Sequence, residues 1–381
     1  MMSVTALLCD RPESDGFLQK MKRSLIKTLL VFLVLQTAAL QAAQVEDLFT
    51  VELAVADQST SLRLETFNHA LRDVIIKVSG SAQSIEHPGL TQPLKSSSRY
   101  VHQFRYLTRK NTTENSFDSG QLFLRVAFNQ EAIENLLREN DIPVWGKERP
   151  STLFLFSYAS AESAGIVSSD TTPELLNEIE ELALRQGLPV LFPLLDLEDR
   201  TQFSEQDIIS FNEQKLTLAA ARYAPDALLA GQIIERSGEG WSGKWQVYYS
   251  NQVFRWTFNG DTHLEVLSQA VAQLAQALAK EYALASFAAS DEEILFSVDN
   301  VNQLKQHVKV QAYLQSLDPV EAVRLILIDQ DKVTYRVKLR NSTADLSRLI
   351  ALNNVLEQLE LPQIDAATEN QAVIMNYRFI Q

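Results

Sequence analysis

The chain has 381 residues, too many for a single core, and its 46% hydrophobic and 22% charged residues exclude global disorder. Its 48 acidic and 34 basic residues give a net charge of −14, which repels phosphate backbones and anionic headgroups and excludes non-specific nucleic-acid binding. The single cysteine, Cys9, excludes an intramolecular disulfide.

The first element is an export signal. Met21-Lys22-Arg23 opens a basic segment ending at Lys27, and Leu29 to Leu40 is an apolar core of 12 residues. Gln41-Ala42-Ala43 supplies small residues before Gln44-Val45-Glu46-Asp47 turns acidic. This is the order of a cleavable secretory signal over 21–43, with cleavage expected after Ala42 or Ala43. The core is short of the ~20 residues that span a bilayer, so no stable membrane span is expected after cleavage. The alternative is an uncleaved anchor. Residues 1–20 carry Asp10, Glu13 and Asp15 and read as an extension upstream of a start at Met21. The expected compartment is the periplasm of a Gram-negative-type cell.

Residues 44–148 read as an α+β domain. Phe49 to Ala56 alternates as a strand, and Asp57 is placed to cap a helix over Ser59–Val78. Leu64, Phe67, Leu71, Val74, Ile75 and Val78 form its apolar face, and Gly80 supplies a left-handed stop. Tyr100–Leu107 and Gln121–Phe128 read as paired strands around a polar loop, Thr108–Gly120, and Glu131–Asn140 as a short helix.

Residues 151–289 read as an α/β domain with a mixed sheet. Strand Leu153–Phe156, helix Pro173–Arg185, strand Pro189–Leu195, helix Leu216–Tyr223 and strand Ala227–Ile234 imply parallel pairing. Lys244–Tyr249 and Val253–Phe258 form a hairpin, Leu264–Tyr282 a closing helix, and Ala283–Asp291 a linker. Residues 292–381 read as β-α-β-β-α-β, a ferredoxin-like plan. Its elements are Ile294–Val298, Val301–Leu317, Val320–Ile328, Lys332–Arg340, Ala344–Leu359 and Ala372–Ile380. The first domain has a similar order, which suggests a divergent repeat.

Three constellations carry candidate chemistry. Asp196, Glu198 and Asp199 follow a strand of the α/β domain, where ligand crevices open, and are the candidate acid and base of an envelope hydrolase or glycan-modifying enzyme. The competing reading is a solvated loop capping the next helix. Trp241, Trp245 and Trp256 cluster on the hairpin, either as core under the last helix or as a stacking platform for sugars or a partner protein. Arg336, Lys338 and Arg340 alternate with apolar residues as a basic stripe facing an acidic partner, or as an ordinary solvated sheet face. The histidines His69, His87, His102, His263 and His307 have no metal-ligand spacing, so neither metal nor cofactor is expected. Asp329 and Asp331 read as turn residues. G-x-S-x-G, Walker A and H-E-x-x-H are absent from the sequence.

Four stretches carry a likeness. They are VELAVADQSTSLRLETFNHALRDVIIKVSG (51–80), GLPVLFPLLDLED (187–199), ARYAPDALLAGQI (221–233) and GWSGKWQVY (240–248). With them the chain resembles a bacterial exported family known as domain-of-unknown-function family 2066. The resemblance implies an envelope location and no activity. The middle domain also resembles the α/β domains of envelope assembly proteins. The leading expectation is a non-catalytic interaction or scaffold protein of the cell envelope with an unidentified protein partner. A periplasmic small-ligand-binding protein is a further alternative, testable by a melting shift.

Overall fold

Helix α1 (Thr60–Ser79) forms where the periodicity places it, with Phe67, Leu71, Val74, Ile75 and Val78 buried. Leu64 departs from that face and is 47% exposed. Ser59, not Asp57, is the cap: its hydroxyl accepts from Leu62 N, while Asp57 accepts from Ser59 N. Gly80 ends the helix at φ 68°, and a Cβ there would lie 2.2 Å from Ala279 Cβ and 2.7 Å from Trp145. Both the turn and the close approach therefore require glycine.

The computed structural model describes residues 45, 47–109, 121–168, 172–250, 252–283, 292–359 and 374–380. The expected extension and signal (1–43), most of the polar loop (110–120) and most of the linker (284–291) lie outside them.

In the N-terminal part, β1 (Thr50–Ala54), β2 (Val101–Arg109) and β3 (Gln121–Phe128) form an antiparallel sheet in the order β1-β3-β2. Between α1 and β2 lie short 3₁₀ turns and helix α2 (Thr91–Lys95), which seat Leu90 and Leu94 in the core. Helix α3 (Gln130–Glu139), capped by Asn129, adds Ile133, Leu136 and Leu137.

The middle sheet is mixed. Strand β4 (Thr152–Ala159) pairs in parallel with β7 (Ala227–Arg236), which continues antiparallel through β8 (Gly240–Tyr249) to β9 (Gln252–Gly260). On its other side β4 meets β5 (Ala164–Ile166) antiparallel and β6 (Val190–Leu191) in parallel. The expected strand Pro189–Leu195 is thus only two residues long. Pro193 lacks a ladder donor, and Leu195 turns the chain at φ 50°. Helices α4 (Pro173–Gln186) and α8 (His263–Tyr282) bury one face of the sheet. The other face is covered by the segment holding α5 (Leu197–Gln202), α6 (Glu205–Ile209) and α7 (Glu213–Ala221), with Phe203, Ile208 and Leu216 inside.

The C-terminal part contains β10 (Glu293–Asp299), α9 (Leu304–Ser316), β11 (Val320–Asp329), β12 (Lys332–Leu339), α10 (Thr343–Ala351), β13 (Leu356–Gln358) and β14 (Ile374–Phe379). The sheet order is β11-β12-β10-β14-β13. The first three strands repeat the order of the N-terminal sheet. The end departs from the ferredoxin-like plan, because α10 stops at Ala351 and the crossover delivers the extra edge strand β13. Strand β14 then returns antiparallel to β13 and lies parallel to β10. One added strand reverses the direction of the last.

The three sheets meet at Trp145–Arg149. Arg149 is 2% exposed, and its five donors all reach backbone carbonyls. Nε donates to Gly146 O at 2.9 Å. Nη1 donates to Gln186 O and Gly187 O at 3.0 and 3.1 Å, and Nη2 to Lys77 O and Trp145 O at 2.7 and 2.8 Å. The guanidinium also lies 4.1 Å from the Trp145 ring. Glu148 accepts from Asn353 Nδ2 at 2.6 Å, which ties in the C-terminal sheet. Residues 42–381 accordingly form one compact unit.

Candidate functional site

The acidic run is a structural clamp in its geometry. Asp196 caps α5 by accepting from Glu198 N and Asp199 N, and receives Arg222 Nη1 and Nη2 at 2.7 and 2.6 Å. That guanidinium holds the Asp196 carboxyl well below the usual carboxylate range. Asp199 is fully buried and accepts from Leu195 N at 2.9 Å, Arg222 Nη1 at 3.0 Å and the Tyr223 hydroxyl. Glu198 lies 3.7 Å from Arg222 Nε. A hollow of about 300 Å³ adjoins the loop at Leu195, Arg200 and Phe203, and none of the three carboxylates lines it. The loop-capping arrangement is thus present, and the acids are engaged with Arg222 and backbone amides.

The tryptophans belong to the core under α8. Trp245 is 1% exposed and sits opposite Trp256, and Trp256 and Trp241 pack partly buried against the same cluster. Trp241 lies against Tyr158 and His263, at ring separations of 5.2 and 5.4 Å. A Cβ at Gly231 would come 2.3 Å from Trp245, so the bare backbone there makes room for the indole.

Two members of the basic stripe lie by acids and the third by a backbone carbonyl. Arg336 lies 3.9 Å from Glu293 and Lys338 3.1 Å from Glu321, while Arg340 Nη1 donates to Asp318 O at 3.4 Å.

Two features appear that the sequence reading passed over. One is a cleft of about 370 Å³ between the N-terminal sheet and α4, lined by four acids (Asp47, Glu52, Asp73, Glu181) and four bases (Lys77, Arg109, Arg125, Arg185). Glu52 pairs with Arg109 and Arg125, and Arg125 with Asp47. Lys77 is 5% exposed and donates to Thr50 O at 3.1 Å. Burial first, then Arg149 nearby, pulls its ammonium down to about 8. The available signal was a lysine inside the apolar run Val74-Ile75-Ile76-Lys77-Val78.

The other feature is β11, which ends the C-terminal sheet among the described residues. It carries four consecutive exposed apolar side chains: Leu325 at 39%, Ile326 at 45%, Leu327 at 56% and Ile328 at 57%. The α9 residues Leu304 and Val308, also exposed, lie at the same end of the sheet, where Val301 N bonds to Asp331 O. An unpaired strand edge with a run of large aliphatics is a template for another strand. The signal here was four apolar residues in a row without alternation, which reads equally as a fully buried strand.

Among the described residues, no group of three or more His, Cys, Asp or Glu side chains is placed to hold a metal. No helix among them is long and apolar enough to cross a membrane. Residues 42–146, the N-terminal sheet with its helices, match a family described as a domain of unknown function (DUF8605). Among curated proteins, none matches the chain.

Proposed function

We propose that this protein is an exported, non-catalytic interaction or scaffold protein of a Gram-negative-type cell envelope, and that it docks a protein through the edge of β11. One observation carries the docking reading: the exposed Leu325-Ile326-Leu327-Ile328 run on a terminal strand. Soluble proteins ordinarily blunt such edges with charge, proline or a covering element, because the open ladder recruits other chains. An edge kept apolar fits strand addition, in which main-chain hydrogen bonds supply affinity and side chains supply selectivity. The non-catalytic reading is supported by the engagement of Asp196, Glu198 and Asp199 with Arg222. The compartment rests on the signal-like order of residues 21–43.

A photo-crosslinking residue at position 326, introduced in living cells, tests the docking. The expected outcome is a discrete crosslinked protein product that disappears on Leu327→Lys. No product at 326, or one indifferent to Leu327→Lys, removes the reading. Amino-terminal sequencing tests the compartment: the accumulated protein is expected to begin at Ala43 or Gln44 in the periplasmic fraction. A cytosolic chain that retains Met21 would count decisively against it.

A further inference from the structure

We infer that β11 pairs with β11 of a second copy of this chain, antiparallel and about a two-fold axis between Ile326 and Leu327. The inference rests on the docking reading above and names its partner. The strand reads Arg324-Leu325-Ile326-Leu327-Ile328-Asp329. Reversed against itself about its centre, it sets Ile326 opposite Leu327, Leu325 opposite Ile328, and Arg324 opposite Asp329 at both ends. A two-fold interface must be self-complementary in this way, each residue of a pair meeting the other.

The register also requires opposed residues to point to the same face of the joined sheet. In a regular strand Arg324 and Asp329 are an odd number of residues apart and would point to opposite faces. The irregularity in β11 removes that conflict. Arg324 stands opposite Arg336, Leu325 opposite Tyr335, Leu327 opposite Thr334, Ile328 opposite Val333 and Asp329 opposite Lys332, with Ile326 as the extra residue. Tyr335 and Val333 are core, so Leu325 and Ile328 point to the same side of the sheet as those two residues, though both stay exposed at its edge. Arg324, Leu327 and Asp329 share the outer face with Arg336, Thr334 and Lys332. The extra residue makes the facing pattern symmetric about the strand centre. Bulges on edge strands commonly prevent pairing. Two identical bulges meeting at the axis match in residue count, so this one does not.

In the pair, two Arg324–Asp329 contacts flank four apolar rungs. Like charges directly opposite destabilise such a ladder, and opposite charges support it. A single strand pair buries little area, so the dimer dissociates on dilution.

Sedimentation velocity over a wide range of concentration, on the protein as the cell accumulates it, provides the test. The wild type is expected to pass from monomer to dimer. Arg324→Asp alone and Asp329→Arg alone are each expected to weaken the dimer about tenfold or more, because each sets like charges together at both ends. The double variant Arg324→Asp/Asp329→Arg is expected to restore it. An equimolar mixture of the two single variants is expected to form heterodimers, since every contact then joins opposite charges. That mixing result has no explanation in misfolding. A wild type monomeric throughout, single variants that dimerise normally, or a failure of both rescue and mixing each overturn the inference. If the wild type is monomeric while residue 326 still crosslinks to a different protein in cells, only self-pairing falls. If 326 crosslinks to nothing, the docking reading falls with it.

Discussion

Removing the Arg149 guanidinium tests whether the N-terminal and middle sheets are held by a polar joint. Its five donors meet carbonyls from α1, the 145–146 segment and the end of α4. Hydrogen bonds to a charged group are worth about 1.5–3 kcal/mol each net, while burial of the cation works against them and pulls the guanidinium down to about 9. Allowing for relaxation and water entry, Arg149→Ala should destabilise by about 3–5 kcal/mol. Arg149→Lys keeps the charge, but three donors on one nitrogen cannot reach five carbonyls, so it should recover only about half of that loss. Urea unfolding followed by tryptophan fluorescence is a direct assay, because Trp145 lies against the guanidinium. The wild type should unfold in one transition. The alanine variant should split, with the N-terminal sheet releasing first. A shift below ~1 kcal/mol, or a lysine variant identical to wild type, would refute the joint as a source of stability.

Three further outcomes follow from ionisable groups. Burial, with Glu134 and Glu148 adding repulsion, raises Asp318 from 3.8 to about 6, so the folded chain holds a proton that the unfolded chain has lost between those values. Stability should fall as pH rises through that window; the full shift is worth about 3 kcal/mol, reduced to about 1–2 by partial solvent access, and Asp318→Asn should flatten the slope. Lys77 has the opposite sign: between about 8 and 10.5 the unfolded chain keeps the proton, so stability should rise with pH there, and Lys77→Met should abolish that rise in urea titrations. Arg222→Ala frees the Asp196–Asp199 clamp and should speed amide exchange across Leu197–Gln202 while leaving β7 and β8 protected; uniform exchange behaviour would show that the clamp does not hold the loop.

The parts legible in the sequence are those whose burial repeats with a fixed local period. The apolar faces of α1 and α8 and the β8–β9 hairpin came from spacing alone. Helices α5 and α6 did not, because six and five residues are too few to display a period, although the acidic run from Asp196 was read as a loop that could cap a helix. The direction of β14 depended on a three-residue strand that no periodicity marks. The tryptophan cluster lies on β8 and β9, and which of its faces meets α8 is a tertiary fact. The Arg149 joint was hidden for a sharper reason. Its partners are backbone carbonyls, which carry no sequence signature, and they arrive from positions as far apart as 77 and 187.

The same distinction separates internal from external chemistry in this molecule. Arg149, Asp199 and Glu148 are charged groups drawn inward, and each is engaged with partners that hold chain segments together. A catalytic group needs the reverse arrangement, with a polar atom left open to a reacting molecule. On β11 the open valences are main-chain groups of a strand edge, and their flanking side chains are aliphatic. Such groups do not titrate near neutral pH, but they can form a ladder. Arg324 and Asp329 then gain selectivity by position: each has its complement at the far end of an identical strand, so a foreign strand without that spacing leaves both charges unmatched.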